Sequence, residues 1–137
     1  MTPPRTRVSR IDEMLSRARE GWVRMTPIEA WRAVAQGALL VDTRTPSQRH
    51  AQGELPGALV IDRTVLEWRL DPSSEVRIPE ARPDVRVVVA CRQGYSSSLA
   101  VRDLRALGID ATDIIGGVEA WSAAGLPTHH DPADERP

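Results

Sequence analysis

The sequence predicts an α/β fold in a single domain: three layers, with a mainly parallel sheet of about five strands and helices on both faces. Three observations carry this. Short apolar or β-branched runs alternate along the chain with segments of helical period. The most apolar run, Val85, Val87, Val88 and Val89, shows no polar alternation, as expected of a strand covered on both faces. Finally, 137 residues with 41% hydrophobic and 27% charged side chains suffice for one domain with its own core.

Taken in order, residues 1–21 are expected to form a loose arm followed by a helix. Ser9 is its candidate cap, Ile11, Met14, Leu15 and Ala18 share one face, and Gly21 is the stop. Residues 22–128 form the main domain. Trp22-Val23-Arg24-Met25 is a short strand candidate. Thr26-Pro27-Ile28-Glu29 then combines a cap, a proline in the first turn and the glutamate of a capping box, predicting a helix to about Gln36. Ala38 to Val41 is a buried strand with Asp42, Thr43 and Arg44 at its C-terminal end, where ligand sites gather in open α/β sheets. Thr45-Pro46 opens another helix, and Ala58 to Ile61 is a strand. Thr64 is the candidate cap of a helical turn through Leu66, Trp68 and Leu70. The central strand follows a polar, proline-bearing connection from Pro72 to Asp84. Ala111 to Ile115 is the last strand, and Gly116-Gly117 turns into a short helix carrying Val118 and Trp121. Residues 129–137 are polar and are expected to be a disordered tail.

The chemistry concentrates between the central strand and the helix after it. Cys91, the only cysteine, stands where strand becomes turn; Arg92-Gln93-Gly94-Tyr95-Ser96 is the turn; Leu99, Ala100, Leu104 and Leu107 then recur at helical spacing. The first turn of a helix presents N–H groups without intrahelical acceptors and a partial positive charge. A turn wrapped before it can aim further N–H groups at the same point. A thiol in such a place ionises more readily than a free one. Gly94 suits a cradle that needs positive φ. The competing reading is an inert cysteine buried at a strand end. The order strand, Cys, Arg, Gly, serines and helix favours the reactive one.

Cys91-Arg92-Gln93-Gly94-Tyr95-Ser96-Ser97 resembles the active-site loop of rhodanese-like sulfurtransferases. Val41-Asp42-Thr43-Arg44, Gly53-Glu54-Leu55-Pro56-Gly57-Ala58, and Gly116-Gly117-Val118-Glu119-Ala120-Trp121 followed by Gly125-Leu126-Pro127 resemble three further segments of that family, in the right order. The resemblance runs from about Trp22 to Thr128. It implies that Cys91 takes the outer sulfur of a donor such as thiosulfate as a persulfide, then yields it to a thiol or cyanide. It implies that Arg92 meets the donor's charge and that Gln93, Gly94, Tyr95 and Ser96 supply N–H groups. Ser96 or Ser97 would donate a hydroxyl hydrogen bond to sulfur, or cap the helix. Asp42, Arg44 and Arg63 are expected to support the loop. Two departures stand out: Gln93 is neutral where many thiosulfate enzymes of the family carry a second base, and Glu54 stands where the family usually has histidine.

A net charge of −1 argues against nucleic acid as a general partner. All 18 basic residues are arginine, so lysine chemistry is excluded. Three histidines and one cysteine, scattered, give no metal-ligand spacing, and no cofactor is implied. No apolar run is long enough to span a bilayer. With a single cysteine and no apolar leader, a reducing, cytoplasmic location is expected. The expected partners are a small-molecule sulfur donor and a thiol acceptor, the latter potentially on a protein. Two alternatives are a binding or regulatory module that kept the fold, and a persulfide carrier to a protein partner. A cysteine phosphatase on this fold would need Arg six positions after the nucleophile, where this chain has Ser97.

Overall fold

The computed structural model describes residues 7–137; most of the expected N-terminal arm lies outside them. Helix α1 (Arg10–Ala18) is followed by α2 (Pro27–Ala35), β1 (Leu39–Asp42), α3 (Pro46–Gln52) and β2 (Leu59–Val60). A 3-10 turn (Arg63–Val65) leads into α4 (Leu66–Leu70), then β3 (Arg86–Ala90), α5 (Ser96–Ala106), β4 (Asp110–Asp113), α6 (Gly117–Ala123) and β5 (Asp134–Glu135). The sheet order is β4-β3-β1-β2-β5, and every pairing is parallel.

Local chemistry starts the helices where the sequence places them. Ser9 Oγ accepts from the Asp12 N–H at the head of α1. Thr26 with Glu29, and Thr45 with Gln48, both close reciprocal capping boxes, with proline in the first turn each time. Ahead of α4 the cap is Asp62 rather than Thr64; its carboxylate accepts the Thr64 N–H.

The central strand explains its own composition. Val87 and Val89 pack with Val41, Leu66, Leu70, Val101 and Leu104 on one face. Val88 and Ala90 pack with Leu40, Ala30, Val118 and Trp121 on the other. Successive side chains point to opposite faces, so burial on both removes the polar alternation. Helices α4 and α5 cover the first face, and α2 and α6 the second; a Trp31–Trp121 edge-to-face pair at 5.6 Å joins the latter two.

Three expectations are corrected. Trp22–Met25 forms a single bridge between Met25 and Ile114, because Thr26 and Pro27 start α2 at once. Residues 129–137 are not a disordered tail. Asp134 and Glu135 add an edge strand beside β2, Arg136 N–H donates to Val60 O at 2.8 Å, and Glu135 pairs with Arg49 at 2.9 Å. Main-chain bonds and arginine pairs hold this strand, so its sequence carries no apolar signal. The sheet thus has five strands, with β5 replacing the expected first one. On α1, Leu15 and Ala18 are buried, whereas Ile11 and Met14 face solvent.

All four strand pairings are parallel, so β1, β3 and β4 end at one edge of the sheet. That edge carries Asp42, Cys91 and Asp113. Among the described residues no helix is long and apolar enough to cross a membrane, and no group of His, Cys, Asp or Glu could hold a metal ion.

Candidate active site

Cys91 follows the last residue of β3 and is 5% exposed. Five residues later α5 begins, so the loop is short, and most of its carbonyls have fixed partners. Cys91 O accepts from Val118 N–H at 2.9 Å, and Arg92 O from Glu119 N–H at 3.0 Å. Gly94 O accepts from the guanidinium groups of both Arg19 and Arg24, each at 2.9 Å. Tyr95 O accepts from Ser98 N–H at 3.1 Å. These carbonyls are all engaged by groups outside the mouth. The Gly94 N–H is turned inward and donates to Cys91 Sγ at 3.1 Å. The result is a thiol that meets a backbone donor at the head of a helix, the arrangement that favours an anion on sulfur.

Two glycines make this loop possible. Gly94 has φ +82°, and a Cβ there would lie 2.9 Å from both Gly116 N and Ile114 O. Gly117 has φ +61°, and its Cβ would come within 2.5 Å of Cys91 O, 2.6 Å of Gly94 N and 2.7 Å of Gln93 N. Any side chain at 117 would push the loop off α6.

Beneath the loop lies a charged cluster. Asp113, fully buried at the end of β4, accepts from Arg24 Nε at 2.7 Å and Arg24 Nη2 at 3.1 Å. It also accepts from the hydroxyls of Ser97 and Ser98 at 2.7 and 2.8 Å. Arg19 bonds Ser98 Oγ at 2.9 Å as well as Gly94 O. Burial, followed by the charge of Arg24, lowers the Arg19 pKa from its ordinary value, while Asp113 and Cys91 act the other way.

The predicted site residues divide into those at the mouth and those that are not. Arg92, Gln93, Tyr95 and Ser96 are exposed and, with Thr43, Gln48 and Cys91, line an open cleft of about 230 Å³. Gln93 Nε2 donates to Glu119 at 3.3 Å. Ser97 is buried, and its hydroxyl serves Asp113 rather than sulfur, which corrects that expectation. Asp42 and Arg44 form a fully buried ion pair at 2.7 Å, and Arg44 also holds Gly53 O at 2.9 Å. They brace the chain after β1. Arg63 does not join them: it pairs with Glu67 at 2.7 Å and Asp103 at 2.8 Å, on the α4–α5 side. Its position three residues after β2 carried no information about which helix it would face.

Arg19, Arg24 and Asp113 escaped the sequence reading. Asp113 had a usable signal, since it ends a strand parallel to the one that ends at Asp42. The two arginines had none; they reach the loop across 75 and 70 positions of chain.

Comparison with known proteins agrees with this geometry. Residues 26–124 match the family model described as rhodanese-like domain. Thiosulfate sulfurtransferase GlpE from Haemophilus influenzae is 32% identical over 105 residues, covering 75% of this chain and 90% of the relative. Adenylyltransferase and sulfurtransferase MOCS3 from Arabidopsis thaliana is 38% identical over 94 residues, but the chain spans only 20% of its length. Among solved structures, protein RPA3614 of unknown function from Rhodopseudomonas palustris, described as a possible tyrosine phosphatase, superposes with a TM-score of 0.79. It is 30% identical and is matched over 93% of this chain and 99% of its own. Thiosulfate sulfurtransferase from Pseudomonas aeruginosa gives a TM-score of 0.63 at 24% identity, over 82% of this chain and 21% of that one, and shares the fold.

Proposed function

The chain belongs to the rhodanese-like domain family, and on that premise we propose that it is a sulfurtransferase working through a persulfide on Cys91. The observation that carries this reading is the loop backbone: the carbonyls of Cys91, Arg92, Gly94 and Tyr95 are bonded away from the thiol while the Gly94 N–H meets Sγ at 3.1 Å. In the first half-reaction the Cys91 thiolate attacks the outer sulfur of a donor such as thiosulfate. A Cys91 S–S bond forms, the donor's S–S bond breaks, and sulfite leaves with the electron pair. In the second, an acceptor thiolate or cyanide attacks the terminal sulfur and regenerates the Cys91 thiolate. The persulfide is anionic, so the donors that favour the thiolate also hold the intermediate. Arg92, exposed at the rim, meets the donor's charge. Asp42 and Arg44 act only by bracing.

The match to a thiosulfate sulfurtransferase GlpE, over 90% of that relative, supports thiosulfate as a donor. A protein-borne acceptor is the second reading, favoured by the open cleft and by the exposure of Tyr95 beside the thiol. A cysteine phosphatase fits poorly. Ser97 occupies the position its arginine would need, and the Ser97 hydroxyl is committed to Asp113. A reducing cytoplasm suits a lone thiol that must stay free.

Intact-protein mass after exposure to thiosulfate tests the reading. The expected result is a gain of one sulfur atom, reversed by a reducing thiol and absent in Cys91→Ser. Sulfur loading that survives in the serine variant, or none in the native chain with any sulfane donor, overturns it.

A further inference from the structure

Two guanidinium groups converge on one neutral oxygen behind the Cys91 loop, and the cluster is not charge-balanced. Arg24 is matched by Asp113. Both acceptors of Arg19, Ser98 Oγ and Gly94 O, are neutral. The two arginines and Asp113 therefore sum to a net positive charge at a partly buried place behind the loop. Like charges at close range raise the free energy of the folded chain, and burial adds to it. An arrangement of this kind is stabilised by a nearby anion.

The geometry says where that anion sits. Gly94 contributes its N–H to Cys91 Sγ and its carbonyl to the arginines. In a trans peptide the carbonyl and the following N–H point in opposite directions. Pinning Gly94 O against two guanidinium groups thus fixes the Tyr95 N–H on the side away from them. A carbonyl bonded to a cation also polarises its peptide, which strengthens the donor at the other end. Arg19 and Arg24 lie outside the stretch that matches the family model, and Arg19 is the residue that ends α1.

We propose that Arg19, together with Arg24, is a positioning residue for an anionic sulfur on Cys91, so that the segment preceding the rhodanese-like core is a working part of the site rather than an appendage. The two arginines act through the Gly94–Tyr95 peptide and through their field, and neither touches the donor. The other charged or titratable groups around the loop are Arg92 and Tyr95 on the loop itself, Asp113 below it and Glu119 on α6. Among the described residues, Arg19 and Arg24 are the groups that approach from the N-terminal segment.

The inference rests on the sulfurtransferase reading, and its test is independent of sulfur transfer. Cys91 is the only thiol, so its alkylation can be followed with two reagents that differ in charge, iodoacetate and iodoacetamide. A positive field favours the anionic reagent, so the ratio of the two rates reads the field and cancels simple changes in access. Arg19→Gln is expected to lower the iodoacetate-to-iodoacetamide ratio about two- to five-fold, and Arg19→Lys to restore most of it. In the native chain the ratio should fall as salt is added. Arg24→Gln is the weaker probe, since it also leaves Asp113 buried without its partner. A ratio unchanged in folded Arg19→Gln, or independent of salt in the native chain, overturns the proposal. Those outcomes leave sulfur loading of Cys91 to stand or fall by mass alone.

Discussion

Two strands of the sheet end on a fully buried aspartate that grips an arginine through both oxygens, and the two pairs do different things. Asp42 takes Arg44, two residues along; both side chains are fully buried, and the surplus donors of Arg44 go to Gly53 O and Gln52. Asp113 takes Arg24, which lies 89 positions away and stays 17% exposed, and it also anchors Ser97 and Ser98 at the head of α5. The first pair is neutral and closes a local turn. The second shares its acceptor at Gly94 with the unmatched cation Arg19, so its surroundings are net positive. The same chemistry at equivalent strand ends makes a brace in one case and an electrostatic support for a thiol in the other. What differs is which other elements arrive.

The comparison is broken most severely by removing either carboxylate. Asp42→Asn and Asp113→Asn should each cost about 3–5 kcal/mol, because each leaves a buried guanidinium without its partner. Chemical denaturation measures this. The two should then part: the folded fraction of Asp113→Asn is expected to load sulfur much more slowly, since the start of α5 loses its anchor, while Asp42→Asn changes loading far less. Equal losses of loading would mean that the two pairs are not functionally distinct.

A smaller effect is expected at the rim. Arg92 is the exposed cation of the loop, and thiosulfate carries two negative charges. Arg92→Ala should raise KM for thiosulfate by roughly five-fold, an exposed contact of ~1 kcal/mol, and should lower kcat only if Arg92 also stabilises the departing sulfite. Gln93→Lys should improve kcat/KM for thiosulfate by a similar or smaller factor, and less at high salt. A rim that reads charge while Arg19 sets the field behind the loop predicts that Arg92→Ala moves KM and Arg19→Gln moves the alkylation ratio. Interchanged results would merge the two roles.

The smallest effect belongs to a third arginine cluster, which is the surface counterpart of the buried pairs. Arg136 bonds Asp134 at 2.7 Å and Glu80 at 3.0 Å, fastening the edge strand. Those hydrogen bonds lower the pKa values of both carboxyls and raise that of Arg136. Depressed carboxyl pKa values stabilise the fold above the unfolded values, and that contribution is lost as pH falls through the folded ones. Arg136→Ala should therefore lower Tm slightly at neutral pH, by about 1 kcal/mol or less in stability, and the gap to the native chain should close between about pH 5 and 3. A gap that is large, or independent of pH, would put this cluster with the buried ones.

How much of this was readable in advance follows from distance along the chain. The capping boxes at Thr26 and Thr45, the unbroken apolar run of β3, the turn at Cys91 and the Asp42–Arg44 pair are all made by residues within a few positions of one another. Local propensity and periodicity register such features directly. The face of α1 was read only in part: Leu15 and Ala18 are covered while Ile11 and Met14 are not, because the width of a buried stripe depends on how closely the next layer approaches.

The sequence by itself determined an α/β domain, its strand–loop–helix centre and a single thiol at the head of a helix, because each depends on short-range geometry. Tertiary structure alone decided the rest. It added Asp134–Glu135 as the edge strand, since main-chain bonding and ion pairs to Glu80 and Arg49 need no apolar pattern. It sent Arg63 to Asp103 instead of the loop. It turned Ser97 toward Asp113 and brought Arg19 and Arg24 onto Gly94 O, because a guanidinium on a long side chain finds its acceptors in space, and sequence position says little about where those acceptors lie.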